Sequence, residues 1–201
     1  MATQRYIPAA KLGTGAYGSV FTVFRESDGE SFAAKSFTCS EDDSTLEPGT
    51  IRELSILVAL RREREAAGLA PHPNIMCAEA VAELEGIDGL CMIMPKMSMS
   101  LGTAIEAKAL NGKAKLNVSL GLLRALEFLH ANNIIHRDVK PDNVLLTDDL
   151  TAVLADFSLA KVLLTSQTSL SKEPRRGNKR GAAEGGVRNT AGMGTATYMA
   201  P

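Results

Sequence analysis

The chain has 201 residues, of which 22 are basic, 23 are acidic and 45% are hydrophobic, and this composition describes one globular domain or two small lobes. A net charge of −1 leaves no basic excess for general nucleic-acid binding. The three cysteines are unevenly spaced and form no CxxC motif, so they indicate neither a disulfide framework nor a zinc site. We expect no signal sequence and no membrane span.

A glycine-rich string follows a short predicted strand near the N-terminus. It has the pattern G-x-G-x-x-G-x-V and contains Leu12, Gly13, Gly15, Gly18 and Val20. A dinucleotide-binding turn would need a helix directly after the glycines, but residues 19–27 have β-branched and aromatic residues at strand spacing. No Gly-Lys-Ser/Thr follows, so a Walker loop is excluded. The string predicts a β-turn-β flap whose backbone can approach phosphates closely.

A strand predicted at residues 31–37 places Ala33 and Lys35 on one face, toward the flap. The next predicted helix covers residues 50–67, with Glu53 on its apolar face. A carboxylate buried alone would cost several kcal/mol, so Glu53 needs a cation. We expect Lys35 to supply it.

Two further strands are predicted at 76–83 and 89–94, and they precede a short helix at 101–109 and a longer one at 116–131. The longer helix carries large apolar side chains that we expect to form a stripe facing the core. They are Leu120, Leu123, Leu126 and Phe128. A β-rich part followed by a helical part is therefore predicted.

The densest group of polar residues is 136–143, His-Arg-Asp-Val-Lys-Pro-Asp-Asn, between two apolar segments. Strands predicted at 143–147 and 151–156 form a hairpin whose register brings Asn143 beside Asp156. Two oxygen donors facing one point suit a magnesium ion that bridges phosphate oxygens. Asp138 is placed to accept a proton from a hydroxyl nucleophile, and Lys140 is placed to reach a transferring phosphoryl group.

The string HRDVKPDN, with Asp156-Phe157-Ser158 beginning thirteen residues after Asn143, resembles the catalytic loop and metal-binding motif of the protein kinases. The resemblance covers residues 6–201 and implies the bilobal α+β kinase fold. It implies an antiparallel β small lobe with one helix at 6–94, a hinge at 95–97 and a mainly α large lobe at 98–201. It also implies ATP and Mg²⁺, with the metal held by Asn143 and Asp156.

The same resemblance implies a nucleotide site. The Lys35–Glu53 pair would orient the phosphates under the glycine-rich flap, and the adenine ring would lie in an apolar pocket. Met94 would lie at the back of that pocket, with the carbonyl of Pro95 and the main-chain N–H of Met97 facing the adenine edge. The ring would pack against Val20, Ala33 and Leu145.

Residues 161–193 depart from the family pattern, with five glycines and seven basic residues among 33. We predict a solvated insertion in the activation loop and favour it over a segment that binds nucleic acid or an acidic partner. Ser158 stands where the family has Gly. Thr195, which the resemblance places beside Asp138, favours Ser or Thr as the acceptor, and Thr190 is a candidate site for an activating phosphate.

The sequence stops at Ala200-Pro201, one residue short of the Ala-Pro-Glu of the family. We therefore expect an incomplete large lobe. By resemblance, apolar faces of the 116–131 helix and the 143–156 hairpin would pack on helices that follow, so residues 1–201 alone are not expected to form a competent enzyme.

These observations predict an intracellular protein kinase, cytoplasmic or nuclear, that transfers the γ-phosphoryl group of Mg-ATP to Ser or Thr hydroxyls of protein substrates. An activating subunit or an upstream kinase is a further expected partner, whereas a membrane or a nucleic acid is not. A nucleotide-binding pseudokinase or scaffold and an inactive fragment of a longer kinase remain alternatives. Residues 48–54 faintly resemble the cyclin-binding helix of cyclin-dependent kinases, but residues 194–201 do not, so the subfamily stays open.

Overall fold

The computed structural model describes residues 4–15, 18–37 and 46–163. An antiparallel sheet of five strands forms the first part of this α+β fold, in the order β1-β2-β3-β5-β4. Its strands are β1 (Tyr6–Gly15), β2 (Gly18–Arg25), β3 (Ser31–Phe37), β4 (Ala80–Leu84) and β5 (Ile87–Pro95). The glycine-rich string therefore leads from one strand into another, as predicted, and not into a helix.

One helix, α1 (Pro48–Ala66), accompanies the sheet. Its buried positions recur at the helical spacing of three and four residues and are Thr50, Glu53, Ile56, Leu57 and Leu60. The predicted apolar face that carries Glu53 is confirmed, and the helix begins two residues earlier than predicted. No helix in the described ranges combines the length and the apolar character that crossing a bilayer requires.

The segment between α1 and β4 joins the sheet to the rest of the molecule. The Asn74 side chain donates a hydrogen bond to the carbonyl of Ala152 (2.8 Å), and the N–H of Met76 donates to the carbonyl of Leu154 (2.9 Å). The predicted strand at 76–83 was too long at its start, because Met76 bonds to residues far along the chain and pairing with β5 begins at Ala80.

The second part of the fold contains two helices, α2 (Leu101–Glu106) and α3 (Gly112–Ala131). Its short strands are β6 (Met99–Ser100), β7 (Ile134–Ile135), β8 (Val144–Leu146), β9 (Ala152–Leu154) and β10 (Lys161–Val162). These strands form one sheet in the order β6-β8-β9 and a second pair, β10-β7. Helix α3 begins earlier than predicted because the side chain of Asn111 accepts a hydrogen bond from the N–H of Ala114 (2.9 Å) and caps the helix.

The predicted core stripe of α3 is wrong for two of its four members, since Leu120 is 42% exposed and Leu123 is 62% exposed. The helix buries smaller residues instead: Ala114, Val118, Gly121 and Ala125, together with Leu129. A Cβ atom at Gly121 would lie 2.9 Å from the side chain of Asn74 and 3.2 Å from that of Ala152. Helix α3 thus approaches β9 too closely for large side chains at the contact.

Substitutions at Leu129 and Leu123 test this assignment. Leu129→Ala is expected to lower the free energy of unfolding by about 2–5 kcal/mol, because it leaves a cavity in the core. Leu123→Ala removes the same atoms from an exposed site and is expected to change the free energy of unfolding by less than about 0.5 kcal/mol. Urea denaturation of both variants measures the difference, and equal losses would contradict the assignment.

Candidate active site

A buried ion pair connects β3 to α1. Lys35 Nζ donates to Glu53 Oε2 at 2.6 Å, and Glu53 is only 3% exposed. The backbone of Phe157 lies near the Glu53 carboxylate. Burial raises the pKa of Glu53, while the Lys35 cation and the nearby backbone of Phe157 favour the ionised form. The predicted pairing of Lys35 with Glu53 is confirmed.

The glycine-rich flap is connected to this pair through the sheet. Gly15 pairs with Gly18 and Gly13 with Val20 across β1 and β2, and Val20 pairs in turn with Lys35 on β3. Gly18 has φ +137°, and a Cβ atom there would collide with the backbone carbonyl of Ser36. Only glycine fits that position, because both the dihedral angle and the close approach exclude a side chain.

A largely apolar cavity of about 400 Å³ opens between the sheet and the second part of the fold. It is lined by predicted nucleotide-site residues, namely Leu12, Gly13, Val20, Ala33, Met94, Pro95, Met97 and Leu145. Gly15 and Gly18 are not in its wall and lie further along the flap. An apolar slot with a few main-chain polar groups is the kind of site that binds a flat heteroaromatic ring.

Sequence reasoning missed part of this wall. Met76, Lys96, Met99 and Ser100 also line the cavity. Met76 carries no recognisable signal, because its position depends on its hydrogen bond to Leu154, far along the chain. Met99 and Ser100 reach the cavity because β6 pairs with β8, beside Leu145.

Asp138 is buried, and its carboxylate accepts hydrogen bonds from two neighbours. Its Oδ2 accepts hydrogen bonds from Lys140 Nζ and from Asn143 Nδ2, both at 2.9 Å. Asn143 Nδ2 also donates to the backbone carbonyl of Asp138 at 2.8 Å. The bond to Asp138 raises the pKa of Lys140, which keeps Lys140 cationic. The three predicted catalytic residues therefore form one hydrogen-bonded group.

The hairpin of β8 and β9 has the predicted register, with Val144 opposite Leu154. Pairing continues past the strands, since the N–H of Ala155 donates to the carbonyl of Asn143 (2.9 Å), and this brings Asn143 and Asp156 to the same end. Because the amide nitrogen of Asn143 is bound to Asp138, its carbonyl oxygen is the atom that can face an ion.

The described residues contain no cluster of three His, Cys, Asp or Glu side chains that could hold a metal alone. Asn143 and Asp156 offer one amide oxygen and one carboxylate. Two hard oxygen ligands fit magnesium, which binds through one or two protein side chains and completes its shell with substrate phosphates and water. The residues present thus fit Mg²⁺ bound together with a nucleotide.

His136 holds Asp138 in place by hydrogen bonds, a role that the sequence did not indicate. Its Nε2 donates to the carbonyl of Ala155 (3.0 Å), and its Nδ1 accepts from the N–H of Asp138 (3.3 Å). The ring lies edge-on to Phe157, with centroids 4.9 Å apart. Burial lowers the pKa of His136, which favours the neutral imidazole. Through its two hydrogen bonds, this ring connects Asp138 to Ala155, the residue before Asp156.

Arg137 makes a second connection, since its Nε donates to the carbonyl of Leu159 (2.7 Å). Thr190, the predicted phosphorylation site, and Thr195, predicted to lie beside Asp138, are outside the described residues. Residues 164–193 of the predicted insertion are also outside them. Ser158 lies inside them and is buried.

This arrangement of flap, ion pair, apolar slot and anchored carboxylates is that of a protein kinase. The protein kinase domain family matches residues 6–201, and the chain belongs to that family.

Cyclin-dependent kinase 4 from Ovis aries is 35% identical over 173 residues, which cover 81% of this chain and 54% of that protein. A cyclin-dependent kinase 4 homolog from Caenorhabditis elegans is 34% identical over 156 residues, 75% of this chain and 37% of the relative. A mitogen-activated protein kinase from Aspergillus fumigatus is 28% identical over 160 residues, 80% of this chain and 39% of the relative. The chain thus spans about half the length of the sheep relative and less of the other two.

Removing one partner of the buried ion pair tests its contribution to stability. Lys35→Met is expected to lower the free energy of unfolding by about 3–5 kcal/mol, because Glu53 is left buried without its cation. Lys35→Met/Glu53→Met, which replaces both charges with apolar groups, is expected to recover most of that loss. Chemical denaturation at neutral pH measures both, and a double variant no more stable than the single one would contradict the expectation.

The pH dependence of the single variant has a defined sign. Without Lys35, burial raises the pKa of Glu53 further above the ordinary value of 4.5, so the folded state holds the proton more tightly than the unfolded state. The stability of Lys35→Met should therefore be highest below pH 4.5 and fall as the pH rises through the folded-state pKa. In Lys35→Met/Glu53→Gln this loss of stability with rising pH is expected to disappear. If it persists, the pH dependence belongs to a group other than Glu53.

Proposed function

We propose that this protein transfers the γ-phosphoryl group of ATP to Ser or Thr hydroxyls of protein substrates, with Mg²⁺ as the metal. The observation that carries the proposal is the hydrogen-bonded group of Asp138, Lys140 and Asn143 at the end of the hairpin that also carries Asp156. A carboxylate held by a cation and an amide, beside a two-oxygen metal site, suits the activation of a hydroxyl next to a phosphate chain.

Each side chain has a separate part in this proposal. Asp138 orients the acceptor hydroxyl and takes its proton, while Lys140 stabilises negative charge on the transferring group. Lys35, held by Glu53, binds the phosphates beneath the flap. Magnesium, held by Asn143 and Asp156, would neutralise charge on the phosphate oxygens.

The cavity accounts for adenine binding in the same proposal. Val20 and Ala33 would cover one face of the ring and Leu145 the other. Pro95 has no N–H and can offer only its carbonyl to the adenine amino group, so Met97 would supply the main-chain donor. Because these apolar side chains exclude water from the cavity, the hydrogen bonds from Pro95 and Met97 to the adenine would be stronger than in water.

The choice of Ser or Thr over Tyr rests on the family resemblance at Lys140 and Thr195. A nucleotide-binding scaffold without transferase activity is the main competing function. Phosphorylation of a general protein substrate, followed by identification of the modified residues, separates the two.

We also infer an activating partner that binds α1. Two relatives bear names that state a dependence on cyclin. Helix α1 carries Glu53 of the ion pair and also presents Ile51, which is 51% exposed, on its outer surface. A cyclin that covers Ile51 would hold α1, and with it Glu53, in the position that Lys35 requires.

An intracellular location, cytoplasmic or nuclear, completes the proposal. Within the described residues Cys77 and Cys91 are free thiols, which agrees with a reducing compartment.

Three substitutions separate the catalytic roles. Asp138→Asn is expected to abolish transfer and to leave affinity for Mg-ATP nearly intact, because Asp138 faces the acceptor hydroxyl. Lys35→Met and Asp156→Asn are expected to weaken nucleotide binding itself, through the phosphates and the metal respectively. Equilibrium titration of each variant with ATP, with and without Mg²⁺, measures these affinities. Equal losses of ATP affinity in all three variants would contradict the assigned roles.

The partner is tested on the exposed face of α1. Ile51→Glu is expected to abolish co-purification with a co-expressed cyclin and to lose cyclin-stimulated transfer, while Mg-ATP binding stays unchanged. Leu69→Glu is the matched control, because Leu69 is 53% exposed just beyond the end of the helix. Retention of every cyclin of a tested panel by Ile51→Glu would refute this contact.

A further inference from the structure

Ser158 is a buried residue with a hydroxyl group directed at a metal ligand. It is only 3% exposed, and its Oγ donates to Asp156 Oδ1 at 2.6 Å. Its backbone N–H donates to the same oxygen at 3.3 Å. The hydroxyl bond is therefore the shorter of two bonds to one carboxylate oxygen, and glycine at this position could make only the longer one.

The backbone at Asp156 explains why its carboxylate needs support. Asp156 has φ +62°, in the left-handed region that non-glycine residues adopt at a cost. Aspartate tolerates this region when its side chain bonds to the backbone two residues on. The N–H of Ser158 makes that bond, and the Ser158 hydroxyl reinforces it from the same residue.

Ser158 is itself held from the opposite side by α1. Arg52 donates a hydrogen bond to the carbonyl of Ser158. A Cβ atom at Gly49, in the first turn of α1, would lie 3.4 Å from the Ser158 Cβ, so anything larger than a methyl group there would press on Ser158. The small residue on the helix leaves room for the serine, and the arginine fixes its backbone.

We propose that Ser158 is a positioning residue for the magnesium site. By binding Oδ1, its hydroxyl fixes the orientation of the Asp156 carboxylate and leaves Oδ2 as the oxygen that faces the ion. This role rests on the proposed function, because it requires that Asp156 bind a metal with the nucleotide. It goes beyond that function, because the assignment of Asp156 as a ligand does not involve residue 158.

A carboxylate fixed before the ion arrives loses less rotational freedom on binding than a free one. The hydroxyl should therefore strengthen metal-dependent nucleotide binding and leave metal-free binding unchanged. Since a hydrogen bond to a charged group is one of the stronger kinds, its loss is expected to raise the half-saturating Mg²⁺ concentration by about tenfold.

The experiment is a titration of the protein with a fluorescent ATP analogue over a range of Mg²⁺ concentrations and in EDTA. Ser158→Ala removes one buried oxygen and keeps the backbone restricted, and it is expected to show the tenfold shift with Mg²⁺ and no change in EDTA. Ser158→Gly is expected to shift at least as far, since it loses the same hydroxyl. Ser119→Ala is the matched control, because Ser119 lies on the exposed face of α3, where its hydroxyl bonds to the carbonyl of Lys115.

The outcomes separate the two claims. Mg²⁺-dependent binding by the wild-type protein together with an unshifted Ser158→Ala overturns the role of Ser158 alone. Absence of Mg²⁺-dependent binding in the wild-type protein overturns the proposed function and this role with it. Equal weakening of Ser158→Ala with and without Mg²⁺ also overturns the role, since a general structural defect would not depend on the metal. A shift confined to Ser158→Gly would assign the effect to backbone freedom and not to the hydroxyl.

Discussion

The Lys35–Glu53 ion pair is the interaction on which the site depends. It joins the sheet, through β3, to helix α1, and the backbone of Phe157 in the segment after β9 lies near the Glu53 carboxylate. Removing two charges from water is expensive, and only close geometry and further hydrogen bonds offset that cost. The pair therefore forms only when β3 and α1 are correctly placed relative to each other.

The segment of residues 136–143, the proposed catalytic loop, also depends on buried polar groups that are fully hydrogen-bonded. His136, Asp138 and Asn143 are all buried polar side chains. Among the described residues, no buried side-chain nitrogen or oxygen lacks a hydrogen-bond partner. Buried polar networks of this kind are rigid when fully satisfied, because any movement of one member leaves another unpaired. A rigid loop is what a carboxylate needs if it is to meet a hydroxyl in one orientation.

The sequence predicted those features whose geometry is local or whose burial carries a high cost. The hairpin register followed from counting residues from the 148–150 turn, and the partner of Glu53 followed from the cost of an isolated charge. Residues of the cavity wall that belong to recognisable motifs were predicted from the sequence. The hydrogen bonds of Pro95 and Met97 to adenine stay predictions.

Features that depend on distant packing were not predictable. The placement of Met76 needs a bond to β9, and the core face of α3 is set by how closely Gly121 approaches that strand. Hydrophobicity alone favoured Leu120 and Leu123 for the core, but the close contact admits only small side chains. The hydroxyl of Ser158 was visible in the sequence as a departure from a motif, and its direction became clear only from the fold.

The attachment of α1 at two points has a thermodynamic consequence. Glu53 bonds to Lys35, the proposed phosphate-binding residue, and Arg52 bonds to Ser158, which bonds to Asp156. A shift of the helix would therefore change both ends of the proposed nucleotide site together. Any molecule that binds α1 in one of its positions is then linked to the nucleotide, and the linkage is reciprocal. Whatever factor such a molecule adds to nucleotide affinity, the nucleotide adds to the affinity for that molecule.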